Sequence, residues 1–177
     1  NILLLILRLF YLFFSKRYFN HYKSHFKKKN IKEKEIYLDI YKKTKKIECE
    51  SISKFLNQFH KKIDEDFVNK LALITQVTIK KSQIQYFHGK ILYAVLANII
   101  NNRNLNYINV LEIGTARGFS ALCMAKALND FKINGSIISL DILPHNTNMY
   151  WGCIEDIDGK KTRKNLLQNY NDLLNYI

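Results

Sequence analysis

Proline occurs once in this 177-residue chain, tryptophan once, methionine twice and cysteine three times. Cys49, Cys123 and Cys153 form no C-x-x-C pair and their number is odd. No disulfide framework is implied, and a reducing, cytoplasmic compartment fits best. Metal chemistry lacks support too. His21 and His25 stand four apart, but no acid lies between them and no third ligand is in sight. Asp156-x-Asp158-Gly159 looks like the start of a calcium loop, yet Leu167 stands where the glutamate of the twelfth position belongs. A turn is the better reading there, and no metal site is expected. There is no internal repeat, and no Ser-His-Asp arrangement that spacing supports. Nor is there an apolar run of the roughly 20 residues that a bilayer span needs. The longest, residues 2–14 (ILLLILRLFYLFF), carries Arg8 in its middle. No small-residue cleavage site follows it, which argues against a cleaved signal peptide.

Acidic residues are scarce relative to basic ones. Lysine and arginine number 28 against 15 aspartates and glutamates, a net charge of +13. The excess is N-terminal: residues 1–50 carry 13 basic and 5 acidic groups, residues 101–177 carry 8 and 7. The chain begins at Asn1 rather than methionine, which leaves room for an earlier segment. The apolar run then reads as the remnant of a longer membrane anchor, an interfacial helix or a buried helix. Lys16, Arg17 and Lys23, interleaved with Tyr11, Tyr18, Phe19 and Tyr22, favour peripheral contact of residues 2–23 with an anionic membrane surface. Lysine dominates from Lys23 to Lys46. Such a stretch can bind nucleic acid, but no nucleic-acid module accompanies it, so a solvated, partly helical linker is the better reading.

What is present is concentrated in Tyr107–Asp141, YINVLEIGTARGFSALCMAKALNDFKINGSIISLD. A short apolar run, Ile108–Ile113, stops at Gly114. Gly118 opens a helical pattern that reaches about Asn129, and a second apolar run, Ser136–Leu140, ends on Asp141. Strand, tight turn, helix and strand make a β-α-β unit with parallel strands and a right-handed crossover. Ligands of such sheets sit beyond the carboxyl ends of the strands, where Gly114 and Asp141 both lie. A dinucleotide would want G-x-G-x-x-G. Here the spacing is Gly114-x-x-x-Gly118, Ala116 replaces the middle glycine, and Arg117 adds bulk. Glu112 would repel a pyrophosphate and suit an ammonium.

Glu112-x-Gly114-x-x-x-Gly118 resembles motif I of class I S-adenosylmethionine-dependent methyltransferases, and Asp141 resembles the acid at the end of their second strand. VLEIGTARGFSALCMAKAL is most similar to the small O-methyltransferases, including the catechol type and the cephalosporin-hydroxylase-like group. The resemblance implies an S-adenosylmethionine site made by Glu112, Gly114, Thr115, Gly118, Phe119, Ser120 and Asp141. Within it Glu112 lies near the methionine amino group, the glycine turn makes room for the sulfonium portion, and Asp141 binds the ribose hydroxyls. It also implies an α/β fold: the N-terminal half of a Rossmann-like class I sheet, preceded by helices. Only two convincing strands are present, so a fragment or a truncated gene product is expected, with an exposed sheet edge and an uncovered apolar face. The catalytic residues are not legible.

The organisation expected is residues 1–46, apolar then basic; 47–105, a helical lead-in; and 106–177, the partial cofactor domain. In the lead-in, Ser51–Lys62 reads as a helix capped by Ser51 or Ser53. Asp64, Glu65 and Asp66 open another. Ser82–Asn102 reads as a third, with Ile84, Phe87, Ile91, Val95 and Ile99 as its stripe. Gly89 inside it marks close packing or a break, and His88 is a packing or solvent-facing residue. A loop spans Ile142–Gly159, where Trp151 packs or flanks a ligand. Thr162–Ile177 reads as a final helix. The function expected is S-adenosylmethionine-dependent O-methylation of a small-molecule or sugar-like acceptor. The competing reading is a non-catalytic membrane-surface or nucleic-acid-binding module on a degenerate nucleotide-binding fold.

Overall fold

The computed structural model describes Ile6, residues 23–27 and residues 31–177. The apolar run 2–14, apart from Ile6, and most of the membrane-contact stretch therefore lie outside the described residues. Among those described, no helix is long and apolar enough to cross a membrane. His25 is buried; its Nδ1–H donates to the Tyr150 carbonyl at 3.0 Å, and its own carbonyl accepts from Tyr150 N at 2.8 Å. That histidine fastens backbone rather than a metal.

Four helices precede the sheet: α1 (Lys34–Lys45), α2 (Glu50–Leu56), α3 (Glu65–Thr75) and α4 (Phe87–Asn102). The lysines of α1 are exposed, but Tyr37 is not. It packs with Val77 and Ile154, so α1 is docked on the domain where a solvated linker was expected. Helix α2 is shorter than expected, and Cys49 rather than a serine is its N-cap. None of its residues is buried, and so short a helix has little local stability without a packed face. Helix α3 starts where its acids indicate: Asp64 Oδ1 accepts from Phe67 N at 2.6 Å.

Helix α4 departs from expectation in two ways. It starts at Phe87 rather than Ser82, because Tyr86 leaves the helical conformation and buries its ring, its hydroxyl donating to Asn69 at 2.6 Å. The buried face is also rotated. Phe87, Ile91, Val95 and Ile99 are only half-buried, whereas Gly89, Tyr93, Ala94, Leu96, Ala97 and Ile100 are buried. Small residues set this face. They let α4 come so near the next helix, α5 (Phe119–Asp130), that a Cβ on Gly89 would lie 2.5 Å from Phe119 Cε1 and 2.7 Å from Cys123 Sγ. Gly89 marks close packing, not a break.

Strands β1 (Tyr107–Ile113) and β2 (Asn134–Leu140) pair in parallel, Val110 opposite Ile137 and Glu112 opposite Ser139. They bracket α5, as the β-α-β reading requires. Alternation sends Ile108, Val110 and Ile137 toward α5, which is buried on nearly all sides. Leu122, Leu128 and Ile137 are each at most 1% exposed, and each such side chain contributes about 1.5–3 kcal/mol by leaving water. The opposite sheet face is open: Leu111 is 62% exposed, Ile113 82%, Ile138 and Leu140 53%. The uncovered apolar face is thus present.

The segment after Asp141 is irregular but packed. Trp151 is 1% exposed, which settles it as a core residue. The Asp156 carboxylate accepts from Trp151 N and Gly152 N at 2.7 and 2.6 Å, holding the turn read there. The expected final helix is broken into α6 (Arg163–Leu166), a 3₁₀ turn (Gln168–Tyr170) and α7 (Asn171–Leu174). Gln168, Asn169 and Asn171 fall at the break, and asparagine competes with a helix for its own backbone groups. Breaking there lets Leu166, Leu167 and Leu173 all be buried, while Tyr176 O accepts from Ile137 N at the edge of β2.

The Gly89 contact yields a measurable expectation. Alanine is the better helix former by about 1 kcal/mol, but overpacking costs about 1–3 kcal/mol. Gly89→Ala should therefore lower the denaturant midpoint at unchanged slope. A raised midpoint would show that α4 and α5 separate without cost.

Candidate active site

The site is built where β1 and β2 end. Gly114 N and Thr115 N both donate to Leu140 O, at 2.7 and 3.4 Å, so the turn begins by clasping the end of β2. Gly114 has φ +97°, and a Cβ there would meet nothing within 4 Å. The backbone needs glycine for its conformation, and the space above it is open to a ligand. Gly118, φ +85°, is the N-cap of α5 and carries no capping side chain. The first N–H groups of a helix have no partner within it, so they remain available beside the turn.

Glu112 faces α5. One carboxylate oxygen accepts from Ser120 Oγ and the other from Ser139 Oγ, and Ser139 also bonds Thr115 Oγ1 at 2.6 Å. The acid therefore ties both strand ends to the first turn of α5. Asp141 is fastened in turn: Oδ2 accepts from Ala116 N and Oδ1 from Leu143 N at 2.7 Å. Its side chain is 8% exposed. Ala116 has φ +47° although it is not glycine. The Asp141 carboxylate holds its N–H, and Arg163 Nε donates to its carbonyl at 2.9 Å.

Two arginines do much of the positioning, and neither stood out in the sequence as a site residue. Arg117 turns away from the ligand side. Its guanidinium donates to Trp151 O and, at 3.0 Å, to Thr75 O at the end of α3. Burial lowers its pKa, but an arginine stays charged regardless. Arg163 is 3% exposed. Besides Ala116 it reaches Asp141 at 3.7 Å and His145 Nδ1 at 3.0 Å, and it lies 5.5 Å from the Trp151 ring. In the run Lys160-Lys161-Thr162-Arg163-Lys164, nothing in the spacing separates a buried arginine from a solvated one. Ser139 had a fainter signal, a hydroxyl at the helix-facing position of an otherwise apolar strand.

Of the expected site residues, Glu112, Gly114, Thr115, Gly118, Ser120 and Asp141 are brought together around one turn. Phe119 is adjacent only through its backbone, because its ring is buried against Tyr86 and His88, at centroid distances of 6.1 and 4.9 Å. The thiols of Cys123 and Cys153 are buried, and burial pushes both pKa values up, that of Cys153 to about 11. Neither is a nucleophile. Among the described residues, no group of three or more His, Cys, Asp or Glu could hold a metal ion.

A family model described as O-methyltransferase matches residues 50–164, the larger part of the chain. The chain belongs to the O-methyltransferase family. No curated protein and no solved structure matches it. The family is of the class I, S-adenosylmethionine-dependent type, in agreement with the motif resemblance. The mixed α/β architecture, with helices before a parallel pair, is that of the N-terminal half of its Rossmann-like sheet.

His145 gives this O-methyltransferase a pH-dependent mark. Partial burial, and then the Arg163 charge beside it, hold its pKa below the ordinary histidine value. Protons bind it more weakly in the folded than in the unfolded chain, so its contribution to stability is lost as pH falls below about 6.5. Nitrogen-15 NMR should find the ring neutral, with its proton on Nε2, at pH 6.5. A protonation midpoint at or above 6.5 would contradict the Arg163 contact.

Proposed function

We propose that this chain binds S-adenosylmethionine at the Gly114–Gly118 turn and transfers its methyl group to an oxygen of a small molecule. The observation that carries the reading is the open, glycine-defined turn flanked by two carboxylates at the strand ends. Gly114 and the first turn of α5 would hold the methionine end, and Asp141 the ribose. Glu112 keeps a negative charge near the expected ammonium. A carboxylate can accept about four hydrogen bonds, and each acid spends only two on serines or backbone amides. Both therefore keep acceptor capacity while being held in place. When bound, the cofactor supplies an electrophilic methyl group on a sulfonium. The chain's part is to orient it and to keep the acceptor oxygen in line.

A dinucleotide suits the turn less well. Ala116 carries a Cβ where the fingerprint has glycine, its N–H is already given to Asp141, and Glu112 opposes a pyrophosphate.

Calorimetry on the intact chain tests the reading. S-adenosylhomocysteine should bind more tightly than NAD. Gly114→Val, which forces a branched side chain to φ +97°, should abolish binding. Asp141→Ala should weaken it at least tenfold, with circular dichroism reporting the state of the fold. Tighter NAD binding, or unchanged affinity in both variants, would overturn the assignment.

A further inference from the structure

A cavity of about 480 Å³ opens beside the glycine turn, a volume suited to a small molecule. Thr115 and Gly118 form its wall on the turn side. Across from them Lys164, Arg163 and His145 contribute polar groups, and Leu167 and Leu174 an apolar surface. No aspartate or glutamate lines it. Arg163 is offset by Asp141 at 3.7 Å. Lys164 is exposed and forms no ion pair among the described residues.

The state of His145 follows from its partner. A guanidinium has only N–H donors, so Nδ1 must accept the 3.0 Å bond from Arg163 Nη1, and the ring proton stays on Nε2. A histidine so held offers an N–H and no lone pair for a proton. The cavity therefore presents one free cation, several donors and an apolar wall, but no general base. An alcohol must lose a proton when its oxygen is alkylated, and a positioned base is worth about 10²–10⁴-fold in rate. A carboxylate, with a pKa of about 4, has no proton to lose.

We propose that this cavity is the acceptor site and that it takes a small carboxylate with an apolar body, methylated on oxygen to the methyl ester. The inference rests on the methyl-donor reading above. In the step, a carboxylate lone pair forms the bond to the methyl carbon. The carbon–sulfur bond breaks, and its electron pair stays on sulfur. The sulfonium becomes a neutral thioether, the carboxylate a neutral ester, and no proton moves. The product has lost the charge that Lys164 attracts, which favours its release.

Ligand-observed NMR on the intact chain decides the matter with benzoate and its neutral isostere benzamide, each titrated with and without S-adenosylhomocysteine. Benzoate should bind at least tenfold more tightly than benzamide, and S-adenosylhomocysteine should not displace it. Lys164→Gln should weaken benzoate about threefold to tenfold, and Lys164→Glu more. Equal binding of the two probes, displacement of benzoate by S-adenosylhomocysteine, or no effect of either Lys164 variant would overturn the carboxylate site. Binding of S-adenosylhomocysteine without benzoate would overturn this proposal alone. Failure of both ligands would overturn the methyl-donor reading with it.

Discussion

Ala116 sits at φ +47° between Asp141, which holds its N–H, and Arg163, which holds its carbonyl. The shape of the turn depends on that clasp. A left-handed conformation costs an ordinary residue about 1–2 kcal/mol, and charge-assisted hydrogen bonds on both sides of the peptide offset it. The same Arg163 brings the segment after Asp141 against the turn, and Arg117, the next residue, fastens it to Trp151 O and Thr75 O. Both arginines thus converge on the Trp151 region, one by hydrogen bonds and one over the ring.

This arrangement changes the part played by the acids. Asp141 and Glu112 were expected as ligand acceptors alone. In the fold each is first a fastener, Asp141 of the turn and Glu112 of the two strand ends to α5. The roles are compatible because a carboxylate has more lone pairs than either uses here. A site held from behind in this way loses little freedom when a ligand arrives. Replacing either acid disturbs the turn as well as any ligand contact, so the two effects must be read separately.

The parts legible in the sequence were those set by local periodicity and by glycine: β1, α5, β2, the acidic cap of α3 and the cluster around Gly114. The uncovered sheet face followed from counting strands. The face of α4 was not legible, because Gly89, Ala94 and Ala97 attract no notice in a hydrophobic pattern, yet their small size decides which side can approach α5. The end of the chain misled for a similar reason. Its leucines repeat at helical spacing, but Gln168, Asn169 and Asn171 break the helix where packing needs a bend. Arg163 was hidden among lysines, since burial of one cation in a basic run depends on distant carbonyls and a distant carboxylate.

The central claim is that the Gly114–Gly118 turn, with Glu112 and Asp141 behind it, is the seat of the methyl donor. The most direct measurement is a titration of S-adenosylhomocysteine into the isotope-labelled chain, followed by backbone amide NMR. The account expects the largest shifts at residues 112–120 and 141–145, with α2 and the open sheet face at Leu111 and Ile138 little changed. Saturable shifts centred elsewhere, or none at millimolar ligand on a folded chain, would contradict it.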